Sequence, residues 1–173
     1  MIYLGSDHRG FALKEKIKEW LTEWGYQYED MGAFEFNKDD DYPDFISKAA
    51  ERVSQDPDNS KAIIMGGSGQ GEAMVANRYK GVRAAVFYGP PFKKLGWYFL
   101  IGLLGRGGIA MSQRGEFANL QELVKLSREH NNANILSLGA SCIDYNIAKK
   151  VIKLWLNTPF SNDERHKRRI NKF

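Results

Sequence analysis

Ala62-Ile63-Ile64-Met65-Gly66-Gly67-Ser68-Gly69-Gln70-Gly71-Glu72-Ala73-Met74-Val75-Ala76 is the stretch that decides the fold. A short apolar run, a glycine loop and an apolar restart read as strand, turn and helix start. Such a loop offers bare backbone N–H groups beside the positive end of a helix, which suits an anionic oxygen. Glu72 is the unusual element. Its carboxylate would repel a bound phosphate, yet it can act as a base beside groups that stabilise negative charge. A dinucleotide fingerprint would stand near the first strand, and a phosphate-binding loop would carry a lysine. This loop does neither. Taken alone it leaves three options: a cofactor site, a structural turn with a helix-terminal acid, or a catalytic base.

Outward from the loop, strand and helix patterns alternate. Ile2–Leu4 predicts a strand, and Leu13, Ile17, Trp20, Leu21 and Trp24 fall at helical spacing before Gly25. A short strand over Tyr26–Glu29 precedes Asp41-Tyr42-Pro43-Asp44, a turn into a helix that buries Phe45, Ile46, Ala49, Ala50 and Val53. After the loop come a strand over Val82–Tyr88 and a helix over Phe117–Glu129, with Leu120, Leu123, Val124 and Leu126 inward. A strand over Asn134–Leu138 and a helix over Ile143–Leu156 follow. This predicts one α/β domain over residues 1–173: a three-layer Rossmann-like fold, its five-stranded parallel sheet flanked by helices. Ligands in such folds sit beyond the carboxyl ends of the strands. Ser6–Gly10, the glycine loop and the residues before Asn134 are expected together there. Residues 89–116 do not fit the alternation. They carry Pro90-Pro91, an apolar run from Leu95 to Leu104 and Arg106-Gly107-Gly108; a buried hairpin or helix, a lid and a subunit contact are the options, and the subunit contact is the expected one.

The chain of 173 residues is 43% hydrophobic, enough for one core. No run is long enough to span a bilayer. A start that is already strand-like, and a single cysteine, Cys142, fit a cytoplasmic protein. The net charge is +4, from 25 basic and 21 acidic residues, and the excess gathers at Arg165-His166-Lys167-Arg168-Arg169. That basic tail, about 159–173, is either a solvated run or an anion site. No aromatic-interleaved basic surface points to nucleic acid. Asp7-His8 follows the first strand, where Asp can orient His or cap the next helix. His130-Asn131-Asn132 reads either as a polar helix end or as site residues.

Together these residues resemble the type B ribose-5-phosphate isomerases and their galactose-6-phosphate isomerase relatives. The matching pieces are Gly5–Lys14, Asp41–Pro43, Gly66–Glu72, Ala76–Arg78, Gly81–Ala84, Ser127–Asn134 and Arg165–Arg169, in family order. The resemblance implies aldose–ketose isomerisation of ribose 5-phosphate, or of another pentose or hexose phosphate, without metal or cofactor. A sugar-phosphate binder that kept the fold is the non-catalytic alternative. One branch of the family uses a cysteine just before the loop as base; here that position is Gly66. The other branch uses the glutamate closing the loop, which Glu72 matches.

By the same resemblance, His130, with Asp7, opens the sugar ring. Ser68, Gly67, Gly69 and Gly71 face the enediolate oxygen. His8, Arg165 and Arg169 surround the phosphate, and Tyr42 and Asn131 contact substrate. The implied assembly is a homodimer with shared active sites, or a pair of such dimers. Two departures stand out. Gly139-Ala140-Ser141 lacks the arginine expected after the fifth strand, so either phosphate affinity falls or another cation replaces it, with Arg106 and Arg114 as candidates, and residues 89–116 are an insertion.

Overall fold

Five strands form, and each pairs with its neighbours in parallel. The computed structural model describes residues 1–89 and the backbone from 113 onward, with side chains from 121 onward. In chain order the elements are β1 (Ile2–Ser6), α1 (Phe11–Glu23), β2 (Tyr28–Asp30), α2 (Tyr42–Gln55), β3 (Lys61–Gly66) and α3 (Gln70–Ala76). They continue with β4 (Ala84–Phe87), α4 (Gln113–Glu129), β5 (Ile135–Gly139), α5 (Tyr145–Asn157) and α6 (Glu164–Ile170). The predicted α/β sandwich is therefore the observed one. Expectations about Pro90 to Leu104 and about Arg106 lie outside the described residues, as does the side chain of Arg114.

Helices cover both faces of the sheet, so the central strands bury alternate residues to opposite sides. Ile63, Met65, Leu136 and Leu138 pack with α1, α4 and α5, around Leu13, Ile17, Val124, Ile152 and Trp155. Ala62, Ile64 and Ile135 pack instead with Ile46, Ala49, Ala50 and Val53 of α2 and Ala76 of α3. Each large aliphatic side chain so buried contributes about 1.5–3 kcal/mol. Leu123 departs from the expectation: it is 61% exposed, while Val124 beside it enters the core.

Strand order is β2-β1-β3-β5-β4. From β1 the chain winds outward to β2, and from β3 it winds the other way. The switch point lies between the carboxyl ends of β1 and β3, where such sheets open a crevice. Ser6 pairs with Met65 at this end, so Asp7-His8 and Gly66-Gly67 leave the sheet side by side.

The residues before Asn134 are not in this crevice, contrary to expectation. They precede β5, and β5 runs parallel to β3 with Ala62 opposite Ile135 and Gly66 opposite Gly139. His130 and Asn131 therefore lie at the amino edge of the sheet. At about 3.3 Å per residue, a five-residue strand sets the two edges roughly 15 Å apart. The basic tail also differs from a solvated run. Glu164–Ile170 is a short helix that buries His166, and Ser161 N–H donates to Glu129 O at 3.1 Å, keeping the tail at that same amino edge.

A buried lysine secures the carboxyl edge. Lys14 on α1 is wholly buried, and its Nζ donates to Asp30 Oδ1 at 2.6 Å and to the Ala33 carbonyl. This ties the exit of β2 to α1 and fixes the start of the loop that returns to α2. Burial alone would raise the Asp30 carboxyl, but hydrogen bonds from Lys14 and from Gly32 N–H outweigh it and hold it below its ordinary value. The stability this gives is present above the ordinary carboxylate pKa and is lost as pH falls through the lower folded-state value. Asp30→Ala, which strands the ammonium, is expected to cost about 3–5 kcal/mol in urea unfolding at neutral pH. A loss within error would contradict this role.

Candidate active site

Three segments meet at the switch point. Asp7, at the end of β1, is buried, and its Oδ1 accepts from Arg9 N–H at 2.9 Å and Gly10 N–H at 3.1 Å. These bonds wind the turn into α1. Gly10 is needed there, because a Cβ would lie 2.4 Å from Met65 O. His8 points its half-buried ring at Asp40, which lies just before α2: Nδ1 is 2.6 Å from Asp40 Oδ1, and the His8 backbone N–H donates to the same oxygen at 3.0 Å.

The glycine loop is held from below by β5. Ala140 N–H donates to Gly66 O at 2.8 Å, Ser141 N–H to Gly67 O at 3.1 Å, and Ser137 Oγ to Gly69 O at 2.6 Å. Carbonyls of the loop are thus committed to the sheet. The first-turn N–H groups of α3 have no partner within the helix. Gly69 adopts φ +76°, a left-handed conformation that favours glycine. Ser68 is exposed on the loop, and its Oγ accepts from Gln70 N–H at 3.3 Å. Tyr42, at the start of α2, lays its ring on the loop; a Cβ on Gly71 would be 2.8 Å from the ring carbon and hydroxyl oxygen.

Glu72 turns back beneath this loop. It is 4% exposed, and its Oε1 lies where a side chain on Gly66 would begin, 1.6 Å from an ideal Cβ. Any larger residue at 66 would displace the carboxylate. Burial pushes the Glu72 carboxyl above its ordinary value and the neighbouring Asp7 charge adds to this, while the N–H groups of Glu72 and Gly69 pull the other way. A carboxylate raised by burial beside N–H donors can take a proton from carbon near neutrality and leave the resulting oxyanion stabilised.

The remaining predicted residues form a second group at the amino edge. The His130 ring stacks on His166, with centroids 4.2 Å apart and planes 14° apart. Burial lowers the His166 pKa, helped by His130 and Arg165. Buried Arg128 braces the turn after His130, donating to Asn132 Oδ1 at 3.0 Å, Ala133 O at 2.5 Å and Thr158 O at 3.1 Å. Asn131, Arg165 and Arg169 are exposed there.

One chain therefore gathers Asp7, His8, Tyr42, Ser68 and Glu72 with the loop glycines, and holds His130, Asn131, Arg165 and Arg169 apart from them. Asp40 and His166 were not singled out by sequence. Asp40 is one of three successive aspartates with nothing to distinguish it, whereas the four-residue spacing of His166 and Ile170 could have signalled a helix with a buried side. Among the described residues, Asp7, His8 and Asp40 offer ligand atoms within 4.8 Å of one another, the arrangement that could hold a metal ion. Oδ1 of Asp7 already serves the turn, and Asp40 already serves His8. No described helix is long and apolar enough to cross a membrane.

The sequence model of the ribose/galactose isomerase family matches residues 2–92 and 114–173. A protein of Mycolicibacterium paratuberculosis named ribose-5-phosphate isomerase B is 37% identical over 170 residues, covering 98% of this chain and 87% of its own. The solved structure of ribose-5-phosphate isomerase B from Mycoplasma genitalium, with bound ribulose-5-phosphate, aligns with a TM-score of 0.78 at 30% identity, covering 99% of this chain and 91% of that one. The Clostridium thermocellum ribose-5-phosphate isomerase B structure gives a TM-score of 0.76 at 32% identity, covering 99% and 93%.

The buried Glu72 carboxyl has a cost that can be measured. Because its folded-state pKa is raised, the folded chain binds this proton more tightly than the unfolded one does. Stability from this group is thus full below the ordinary carboxylate pKa and falls as pH rises through the raised value. Glu72→Gln is expected to stabilise the protein by about 1 kcal/mol at pH 8, with the gain vanishing near pH 4, in parallel urea titrations. Gly66→Ala should instead destabilise it by about 1–3 kcal/mol. A destabilised Glu72→Gln at pH 8 would contradict the buried, raised carboxyl.

Proposed function

This chain belongs to the ribose/galactose isomerase family, and on that premise we propose that it interconverts ribose 5-phosphate and ribulose 5-phosphate through an enediolate, with Glu72 as base. The observation that carries the proposal is the Glu72 carboxylate, buried against Gly66 beneath a loop of N–H donors. Relatives named ribose-5-phosphate isomerase B along nearly the whole chain support the pentose phosphate as substrate.

His130, with Asp7, moves the proton that opens the furanose ring. Glu72 then takes the proton from C2 of the aldehyde form. The electron pair forms the C1–C2 double bond, and negative charge collects on O1. Ser68 and the N–H groups from Gly67 to Gly71 stabilise that oxyanion; one such donor is worth roughly 3 kcal/mol. Glu72 returns the proton to C1 while a hydroxyl proton passes from O2 to O1, leaving the ketone. Tyr42 and Asn131 line the sugar, and His8, Arg165 and Arg169 take the phosphate. No step calls on a metal or cofactor.

This assignment requires a second copy of the chain. His130, Asn131, Arg165 and Arg169 stand one strand length from Glu72 in their own chain, so a homodimer brings the amino edge of one copy to the carboxyl edge of the other. A second reading, another pentose or hexose phosphate as substrate, is favoured by one feature. Ser141 stands beside the loop, its N–H on Gly67 O, where family members carry a phosphate-binding arginine.

The test is turnover of ribose 5-phosphate and a panel of hexose 6-phosphates in deuterated water, followed by NMR. Ribulose 5-phosphate carrying solvent deuterium at C1 is expected, with a fall of about 10²–10⁴ in kcat for Glu72→Gln. The acid limb of kcat/KM should sit above the ordinary carboxylate value, since Glu72 acts ionised and burial raises its pKa. Full activity in Glu72→Gln would remove Glu72 as base. Faster turnover of a hexose phosphate would favour the second reading, and binding without turnover of any sugar would overturn the enzymatic one.

A further inference from the structure

We propose that Asp40 is a positioning residue that holds the Nδ1–H of the His8 imidazole, so that Nε2 is the nitrogen that takes up the second proton and, with the ring charged, donates to the anionic end of the substrate. This rests on the isomerase reading for the identity of the anion, and on geometry for the rest. A single carboxylate oxygen, Asp40 Oδ1, takes two bonds from His8: the backbone N–H at 3.0 Å and the ring Nδ1 at 2.6 Å. The second length belongs to a short, charge-assisted hydrogen bond. An ionised carboxylate only accepts, so Nδ1 is the donor and the tautomer is set.

The surroundings leave the pair little freedom. The Asp40 side chain is 7% exposed and that of His8 is 23% exposed. Phe36 meets the imidazole edge-on, with ring centroids 6.3 Å apart at 89°. Asp40 is itself presented by a wound turn, in which its N–H donates to Asn37 O at 3.1 Å and Asp39 N–H donates to Asn37 Oδ1 at 3.1 Å.

Asp40 also carries an energetic cost that a purely structural cap would avoid. Its Oδ2 is buried without a hydrogen-bond partner. Burying an unsatisfied polar atom is unfavourable. A neutral asparagine or serine could accept the His8 backbone N–H with less to desolvate. What the carboxylate adds is a fixed negative acceptor at Nδ1. A ring held this way is a preorganised donor at Nε2 when charged, and it cannot turn its other nitrogen towards the ligand.

Long-range ¹H–¹⁵N spectra of the full-length protein would test this directly, with the His8 signals assigned by their loss in His8→Gln. The wild-type ring should show its proton on Nδ1, and Nε2 should be the nitrogen that shifts on adding inorganic phosphate. Asp40→Ala should release the ring to the mixed tautomers of free imidazole. It should also raise KM for ribose 5-phosphate by about tenfold or more, with kcat held within about threefold. In a His8→Ala background the same substitution should add nothing further. A wild-type ring protonated on Nε2 alone, or an Asp40→Ala KM equal to wild type, would overturn the proposal. If the wild-type protein turns over no ribose 5-phosphate, the isomerase reading fails instead, and the tautomer spectrum still decides the role of Asp40.

Discussion

The parallel register of β3 and β5 is the constraint on which the rest depends. In a parallel sheet every strand enters at one edge and leaves at the other. Whatever follows β1 and β3 must therefore sit opposite to whatever precedes β5. The first group holds Asp7, His8 and the glycine loop with Glu72, while the second holds His130 and Asn131. No loop movement within one chain exchanges the two edges, because both faces of the sheet are packed against helices. A site that uses both groups has to be assembled between copies. For the proposed site, topology supports the homodimer that the family resemblance implies.

At the carboxyl edge, one glycine decides where Glu72 sits. Gly66 leaves a space at the end of β3, and the Glu72 carboxylate fills it from the first turn of α3. A side chain at 66 and the present position of Glu72 exclude one another. The same burial that raises the pKa of Glu72 makes it an expensive residue to keep. The lysine strap at Lys14 and the β5 latches on the loop brace this edge of the sheet. Asp40 is a further buried carboxylate at this edge, and its proposed role is what it does to its neighbour His8.

Much of this was legible in the sequence. The short apolar runs of β3 and β5, buried on both faces, and the 3.6-residue spacing in α1 gave the alternating pattern, and Pro43 and Gly25 marked helix limits. Glu72 stood out because an acid is out of place at an anion-friendly loop. What misled was the grouping of His130-Asn131 with the other two segments. The direction of β5 already excluded it, since residues before a strand and residues after one lie at opposite edges. Helical spacing alone cannot tell which of the adjacent Leu123 and Val124 faces the sheet, and only Val124 does. Asp40 was invisible, since which of Asp39, Asp40 and Asp41 meets His8 depends on a turn wound by Asn37, a contact across 32 residues of chain. The helix of the basic tail was hidden by its charge.

Mixing two crippled chains tests the central claim most directly. Glu72→Gln removes the proposed base from the carboxyl edge, and His130→Ala removes the proposed ring-opening group from the amino edge. Each variant alone should retain little activity. In a mixed dimer one site combines both lesions and the other is intact. Random reassortment should therefore restore about a quarter of wild-type activity. If mixed dimers form, as shown by mass, and activity stays at the level of the separate variants, the site is not shared between copies and this account is wrong.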